Sequence, residues 1–202
     1  LANNSLFYPS PYVGDMADVR TVNALRETVR RMEELLETEP QLVACDMHPR
    51  YNTTLFAHEL GLPVLEVQHH YAHIVSCLAE NDFDGQVIGV SFDGTGYGTD
   101  GTIWGGEFLL ADRRDFRRLG SIAGFRQAGG DLSAKEGWRI AVSLLLDAFG
   151  RQEAAEVIAR LGLCDEKNLQ TQFTMLERGV NCVKSTSMGR LYDAVSAILG
   201  IR

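Results

Sequence analysis

The spacing of apolar residues along the chain changes between the helical period of about 3.6 residues and the strand period of two. Short apolar runs predict strands at 42–45, 62–67, 86–93 and 102–110, with one more within 111–131. Apolar residues three or four positions apart predict helices at 19–38, 52–60, 69–80, 133–149, 152–161 and 167–178, and a last helix that begins at 187. Strands and helices that follow one another in this way indicate an α/β fold.

Several of these helices carry a prediction of which residues face inward. A capping box at Ser133 and Glu136, in which the two side chains bind backbone N–H groups, predicts the start of the helix that ends near residue 149. The residues expected to be buried are Ala72, Val75, Leu78 and Ala79 in the helix at 69–80, Trp138, Ala141, Leu144 and Leu145 in the helix at 133–149, and Leu191, Val195 and Ile198 in the last helix.

Composition and charge exclude several classes of protein. With 202 residues, 45% of them hydrophobic, the chain can bury a core as one domain or as two small lobes. Its apolar runs are far shorter than the roughly 20 residues of a membrane helix, and no signal-peptide pattern opens the sequence, so a cytoplasmic location is expected. A formal net charge of −8 disfavours a nucleic-acid partner, and the four cysteines lack a CxxC pair, which is consistent with reduced thiols. The chain opens on Leu1 and stops directly after a helical stripe, which suggests a fragment of a longer protein.

Histidines are concentrated directly after the second predicted strand, where His69, His70 and His73 fall within five consecutive residues. Because His69 and His73 are four positions apart, a helix would place both imidazoles on one face, where they could share a metal ion. His70 would point elsewhere. The alternative is a structural pair whose ring nitrogens are satisfied by hydrogen bonds. A zinc protease is excluded, because its motif needs a glutamate directly after the first histidine, and His70 occupies that position.

A glycine-rich segment follows the strongest predicted strand. Gly96, Gly98 and Gly101 have the spacing of a dinucleotide-binding fingerprint, but a strand rather than a helix follows them, which argues against a Rossmann fold. The segment instead predicts a hairpin with its turn at Asp100 and Gly101, whose backbone N–H groups a phosphate can approach. Asp93, at the end of the strand, would face a metal or a nucleotide. An ordinary glycine-rich turn is the alternative.

Other positions have less specific patterns. The loop at 47–51 could face a ligand or simply connect a strand to a helix. On spacing alone, Asp193 is a surface carboxylate. A cluster of basic residues is expected on a solvated surface; its members are Arg113, Arg114, Arg117, Arg118 and Arg126.

Five motifs occur together and in a fixed order along the chain: DMHPRY at 46–51, VQHHYAH at 67–73, DGTGYG at 93–98, WGGE at 104–107 and SMGRLYD at 187–193. In this combination the chain resembles the carbamoyl-transfer domain of the HypF carbamoyltransferases of nickel-iron hydrogenase maturation. That domain is similar to the tRNA threonylcarbamoyl transferases of the TsaD family. The resemblance covers essentially the whole chain.

The resemblance implies an actin-like, sugar-kinase-like two-lobed α/β fold with an incomplete second lobe. Residues 1–85 would form part of the first lobe with the histidine site, and residues 86–202 the first part of the second lobe with the nucleotide-binding hairpin. The implied ligands of a divalent metal, iron or zinc, are His69, His73 and Asp93. The implied contacts of ATP and carbamoyl-adenylate, the latter made from carbamoyl phosphate and ATP, are Asp93, Gly94, Thr95, Gly96, Gly189 and Asp193.

The reaction implied by the resemblance is carbamoyl transfer to the C-terminal cysteine of the partner HypE. The transferred group later becomes the cyanide ligand of iron. Because the partner would supply the nucleophile, no catalytic residue is assigned to this chain. The family's further regions and the rest of its second lobe are missing from the sequence, so the chain alone is expected to be inactive. A smaller departure is Gly137, where the family usually has proline.

Three alternative functions stay open. A tRNA threonylcarbamoyl transferase usually has Glu-Gly before its second metal histidine, whereas this chain has Tyr71 and Ala72. A carbamoyltransferase acting on a small-molecule hydroxyl would share the logic of the site. A non-enzymatic, actin-like nucleotide-binding module would have structural histidines and would bind no metal. The acceptor separates the enzymes, and metal binding separates them from the module.

Overall fold

The computed structural model describes residues 1–3 and 6–201. The chain forms two compact units, Leu1–Gln68 and His69–Arg202. Both contain helices and strands, so the predicted α/β class is confirmed. The two-lobed actin-like arrangement and a lobe boundary after residue 85 stay predictions. Because the division into units falls just before His69, the candidate metal ligands all belong to the second unit.

The first unit contains a parallel pair of strands connected by a helix. Its elements are β1 (Ala2–Asn3), β2 (Leu6–Phe7), α1 (Val19–Leu36), β3 (Val43–Asp46), α2 (Asn52–Glu59) and β4 (Val64–Val67). β3 and β4 pair in parallel, with Asp46 opposite Val67, so that β3, α2 and β4 form a βαβ unit. The side chain of Asp18 caps α1 by accepting a hydrogen bond from the backbone N–H of Arg20.

The second unit is organised around a five-stranded sheet. α3 (His69–Glu80) leads into β5 (Val87–Tyr97), β6 (Ile103–Ala111), β7 (Phe116–Ser121), β8 (Phe125–Ala128) and, later in the chain, β9 (Cys182–Ser185). The strand order is β5-β6-β9-β8, and β7 pairs with β6. The predicted turn between β5 and β6 is confirmed at Asp100 and Gly101, where Gly101 has a φ of 75° and the N–H of Gly98 donates to the carbonyl of Thr102 over 2.9 Å.

Three helices complete the second unit: α4 (Trp138–Leu161), α5 (Glu166–Arg178) and α6 (Met188–Ile198). α4 is broken at Gly150, whose φ of 75° and ψ of 172° are not helical, so the two separate helices predicted on either side of this glycine are confirmed. The predicted capping box is wrong. α4 begins at Trp138 without a side-chain cap, and Ser133 lies in a preceding 3-10 helix (Gly130–Ala134). Its hydroxyl donates to the carbonyl of Gly130 and accepts from the Gln127 amide, so it is not available to cap α4.

The buried faces of two helices differ from the prediction. α3 buries His70, Ile74 and Leu78, which are spaced four apart, whereas Ala72 and Ala79 are exposed. The first position of this buried face is held by the polar residue His70. The pattern of hydrophobic residues therefore predicted a different face of the helix. In α6 the buried residue is Ala194, and Val195 is exposed. Close packing with Ile140 and Ala141 of α4 needs a small side chain at that contact.

The largest core cluster lies between α4, α5 and β8. It contains Ala128, Val142, Leu145, Leu146, Ala154, Ile158, Leu169, Phe173 and Leu176. Among residues 1–3 and 6–201, no helix has both the length and the apolar content required to cross a lipid bilayer.

Candidate metal and nucleotide site

The first turn of α3 sends its adjacent histidines in different directions. The side chain of His70 is fully buried, whereas those of His69 and His73 are 29% and 60% exposed. Burial, with a smaller contribution from the neighbouring imidazole of His69, lowers the pKa of His70 to about 4. His70 therefore belongs to the core and is neutral at neutral pH, while the other two rings face a shared, accessible space.

His69, His73 and Asp93 converge on one point. Nε2 of His69 lies 2.9 Å from Oδ2 of Asp93 and 3.3 Å from Nε2 of His73, and the distance from His73 Nε2 to Asp93 Oδ2 is 4.0 Å. Ligands at about 2.0–2.1 Å from a tetrahedral ion are roughly 3.4 Å apart, so these separations fit a metal with little rearrangement. Two imidazoles and a carboxylate are a donor set that suits Fe²⁺ and Zn²⁺ and leaves coordination positions open for a substrate oxygen.

A bulge in β5 directs Asp93 towards the histidines. Phe92 pairs with Gly106 and Gly96 pairs with Trp104, so Asp93, Gly94 and Thr95 together lie opposite the single residue Gly105. The strand predicted at 86–93 is therefore too short: β5 continues to Tyr97, and Asp93, Gly94 and Thr95 form a bulge inside it. Such bulges bend a strand and re-aim its side chains.

The start of α6 packs directly on this bulge. Ser187, the N-cap of α6, accepts a hydrogen bond from the N–H of Arg190 over 3.0 Å and donates one to the carbonyl of Gly94 over 2.7 Å. A Cβ at Gly189 would lie 2.8 Å from Cα of Gly94, closer than any side chain allows. The structure thus brings the predicted nucleotide contacts Gly94 and Gly189 into direct contact at the N-terminus of α6, where a helix favours negative charge.

Asp193 lies one turn further along α6 and forms an ion pair with Arg190, with 2.9 Å between Oδ2 and Nε. Its side chain is 38% exposed, which agrees with the surface carboxylate that spacing predicted. It lines a cavity of about 650 Å³ with Glu136 and Gly137. His69, His73 and Asp93 are not among the described residues that line this cavity.

Glu107 is a carboxylate on β6 whose side chain is fully buried, and no role was predicted for it from the sequence. It accepts a hydrogen bond of 2.7 Å from Nε of Arg118, whose guanidinium also lies 4.1 Å from the ring centroid of Trp104. The predicted solvated surface is therefore wrong for Arg118. For Arg126 the prediction is confirmed, because its side chain is 39% exposed and forms a surface ion pair with Asp147. The sequence did contain an indication that Glu107 is buried, because this acid lies between two glycines and a run of apolar residues.

Gly96 is expected to tolerate no side chain, because its Cβ would lie 2.3 Å from Cε1 of the buried His70. Gly96→Ala should lower the free energy of unfolding by about 1–3 kcal/mol, as overpacking of a core does. Urea denaturation of the variant measures this. Gly120→Ala is the matched control, since a Cβ at Gly120 meets no atom within 4 Å and its stability should not fall. Equal stability of the two variants would refute the expected clash between a side chain at position 96 and His70.

Ser187→Ala should destabilise the chain by about 1–2 kcal/mol, because α6 loses its N-cap and the Gly94 carbonyl loses its donor. The midpoint of urea denaturation measures this change, provided that the dependence of the unfolding free energy on urea concentration is the same in both proteins. Ser76→Ala, at an exposed position inside α3, should stay within about 0.5 kcal/mol of the parent. An unchanged midpoint for Ser187→Ala would show that α6 does not depend on this cap.

Two protein-family models match this chain, one in each half. A family model described as "Carbamoyltransferase, Kae1-like Domain, second subdomain" matches residues 89–202, and one described as "HypF Kae1-like domain" matches residues 1–80. The probable carbamoyltransferase HypF of Methanocaldococcus jannaschii is 40% identical over 200 residues, which cover 96% of this chain and 26% of the relative. The carbamoyltransferase HypF homolog of Cupriavidus necator is 39% identical over 199 residues, which cover 95% of this chain and 49% of the relative.

A solved structure described as full-length HypF in the phosphate- and nucleotide-bound form superposes with a TM-score of 0.87 at 36% identity. The superposition covers 95% of this chain and 25% of that structure's chain. The chain thus spans between about a quarter and a half of the length of these relatives. On the extent of the matches to both halves, the chain belongs to the HypF Kae1-like carbamoyltransferase domain family.

Proposed function

We propose that this chain is the carbamoyl-transfer part of an enzyme, a HypF carbamoyltransferase, and that His69, His73 and Asp93 hold its metal ion, iron or zinc. The observation that carries the proposal is the convergence of three ligand atoms, all within 4.8 Å of one another, directly beside the glycine bulge of β5. Two histidines with a purely structural role would not require a carboxylate beside them, and here the bulge of β5 places Asp93 there. The names of the relatives supply the type of reaction.

The residues around the cluster set the chemistry. When bound, the metal would act as a Lewis acid that stabilises negative charge developing on the carbamoyl oxygen. His69 and His73 hold their positions because α3 is anchored by His70, Ile74 and Leu78 on its opposite side. Asp93 is held by the bulge, where its Oδ1 also accepts from the N–H of Gly94. Its other oxygen, Oδ2, is the one that faces His69.

We infer that the nucleotide part of carbamoyl-adenylate, formed from carbamoyl phosphate and ATP, binds along Asp93, Gly94, Thr95 and Gly96 and against Gly189. The N-terminus of α6, whose Gly189 packs against Gly94, supports this because it favours negative charge at that point. Asp193 would contact the nucleotide from its place on the cavity one turn further along α6.

The acceptor would be the C-terminal cysteine of the partner HypE, and neither a membrane nor a nucleic acid would be involved. Of the four cysteines of this chain, Cys77 is exposed and the other three are partly buried. Burial raises the pKa of Cys164 and of Cys182, which weakens these thiols as nucleophiles. The proposed nucleophile is the thiol of the partner, and the proposed place of the reaction is the cytoplasm.

Transfer is tested with the full-length protein that contains this chain. Carbamoyl phosphate, ATP and a peptide with the HypE C-terminal sequence are incubated with it, and mass spectrometry follows the peptide thiol. The expected result is one carbamoyl group on the terminal cysteine, and no transfer by the 202-residue chain alone. Parallel reactions contain tRNA or a small alcohol. Transfer to either of these instead of the peptide would replace the proposed acceptor by the corresponding alternative.

A further inference from the structure

Glu107 is a buried acid on β6, two residues after Gly105, which lies opposite the bulge of β5. Its Oε1 lies 3.3 Å and 3.4 Å from the backbone nitrogens of Gly105 and Gly106 and accepts a hydrogen bond from the Thr186 hydroxyl. Its Oε2 accepts the hydrogen bond from Arg118. Removing a carboxylate from water is unfavourable unless its oxygens are well satisfied, and here both oxygens have donors.

The partners of Glu107 are also the supports of the bulge. Gly105 is the one residue opposite Asp93, Gly94 and Thr95, and a Cβ on it would lie 2.6 Å from the carbonyl oxygen of Asp93. Thr186 precedes Ser187, whose hydroxyl binds the carbonyls of Gly94 at 2.7 Å and Asp93 at 3.3 Å. One carboxylate therefore connects the strand that faces the bulge to the helix cap that packs on it.

We propose that Glu107 is a positioning residue for the metal site. It touches neither metal nor substrate. It fixes Gly105 on one side and Thr186 with Ser187 on the other, and the bulge held between them presents Asp93 Oδ2 at 2.9 Å from His69 Nε2. Loosening either support would let the Asp93 carboxylate move relative to the two imidazoles. The inference rests on the proposed metal site, since it concerns the geometry of one of its ligands.

The test is Zn²⁺ affinity, measured by calorimetry on the 202-residue chain, together with the visible spectrum of the Co²⁺-loaded protein. In Glu107→Gln an amide NH₂ replaces one acceptor oxygen, so at least one of the donors around it loses its partner. Thr186→Val is a milder variant that removes only the hydroxyl donor. Leu176→Ala, in the separate cluster of α4, α5 and β8, is a destabilised control. Circular dichroism establishes that each variant is folded at the temperature of measurement.

Glu107→Gln is expected to bind Zn²⁺ about tenfold or more weakly, as changes to residues behind metal ligands do, and to alter the Co²⁺ absorption bands. Thr186→Val should change both in the same direction and by less, and Leu176→Ala should leave both unchanged. If the parent binds Zn²⁺ and both variants at 107 and 186 match it, the positioning role is overturned while the metal site stands. A loss of affinity in Leu176→Ala as large as in Glu107→Gln overturns it too. A parent chain that binds no Zn²⁺ overturns the proposed metal site itself.

Discussion

The double variant His69→Ala/His73→Ala is expected to lose at least about 100-fold in affinity for Zn²⁺ or Fe²⁺, because two of three ligands are removed and a single carboxylate holds such ions weakly. Calorimetric titration of the 202-residue chain under anaerobic conditions measures the affinity, and elemental analysis of the purified protein gives the metal content. The effect should be specific to the metal, since both side chains are at least partly exposed and the buried face of α3 is untouched.

His58→Ala is the matched control for this experiment. His58 is exposed in the first unit, where its Nε2 lies 3.0 Å from Oε1 of Glu66. Its replacement removes one imidazole without touching the cluster, so affinity should stay at the parental value. Equal losses in His58→Ala and in the double variant would mean that the measured ion binds to surface histidines in general. Unchanged affinity in the double variant would place the metal elsewhere.

The second large effect is expected from Arg118→Ala, which should lower the free energy of unfolding by about 3 kcal/mol, since it leaves a buried carboxylate without its counter-charge. Glu107 is fully buried, and Arg118 is 27% exposed, so solvent screens this pair only partly. The variant also loses the contact of the guanidinium with the Trp104 ring. Denaturant unfolding followed by tryptophan fluorescence measures the change.

A double-mutant cycle separates the charge from the packing. Adding Glu107→Gln to Arg118→Ala removes the unpaired charge, so the double variant should be more stable than Arg118→Ala alone. Arg117→Ala, at the exposed neighbouring position of β7, should shift stability by less than about 0.5 kcal/mol. If Arg118→Ala behaves like Arg117→Ala, then the pair is not a structural support of the site.

Local sequence patterns predicted much of the candidate site. The four-residue spacing of His69 and His73 placed both rings on one face of a helix. Asp93 was predicted at the end of a strand; it lies in a bulge inside β5 and does reach His69. Asp100 and Gly101 marked the turn correctly, because only a few residue types accept its backbone conformation. These features depend on neighbours a few residues apart, and such information is present in the sequence itself.

The features that were missed depend on contacts between distant residues. The bulge at Asp93 exists because Phe92 pairs with Gly106 while Gly96 pairs with Trp104, and no pattern within β5 shows that register. The burial of Glu107 depends in the same way on Arg118 and on Thr186, which is 79 residues away. His70 shows the complementary failure: its polar side chain occupies the buried face of α3, which a hydrophobic pattern assigns to apolar residues.

Anomalous diffraction from crystals of the chain grown with Zn²⁺ and ATP tests the central claim most directly. One strong peak is predicted at about 2.0–2.1 Å from a nitrogen of His69 and of His73 and at about 2.0–2.2 Å from a carboxylate oxygen of Asp93. Phosphate density is predicted against Gly94 and Gly189. A peak bound by other histidines, or none at His69 and His73 under saturating Zn²⁺, would contradict the account.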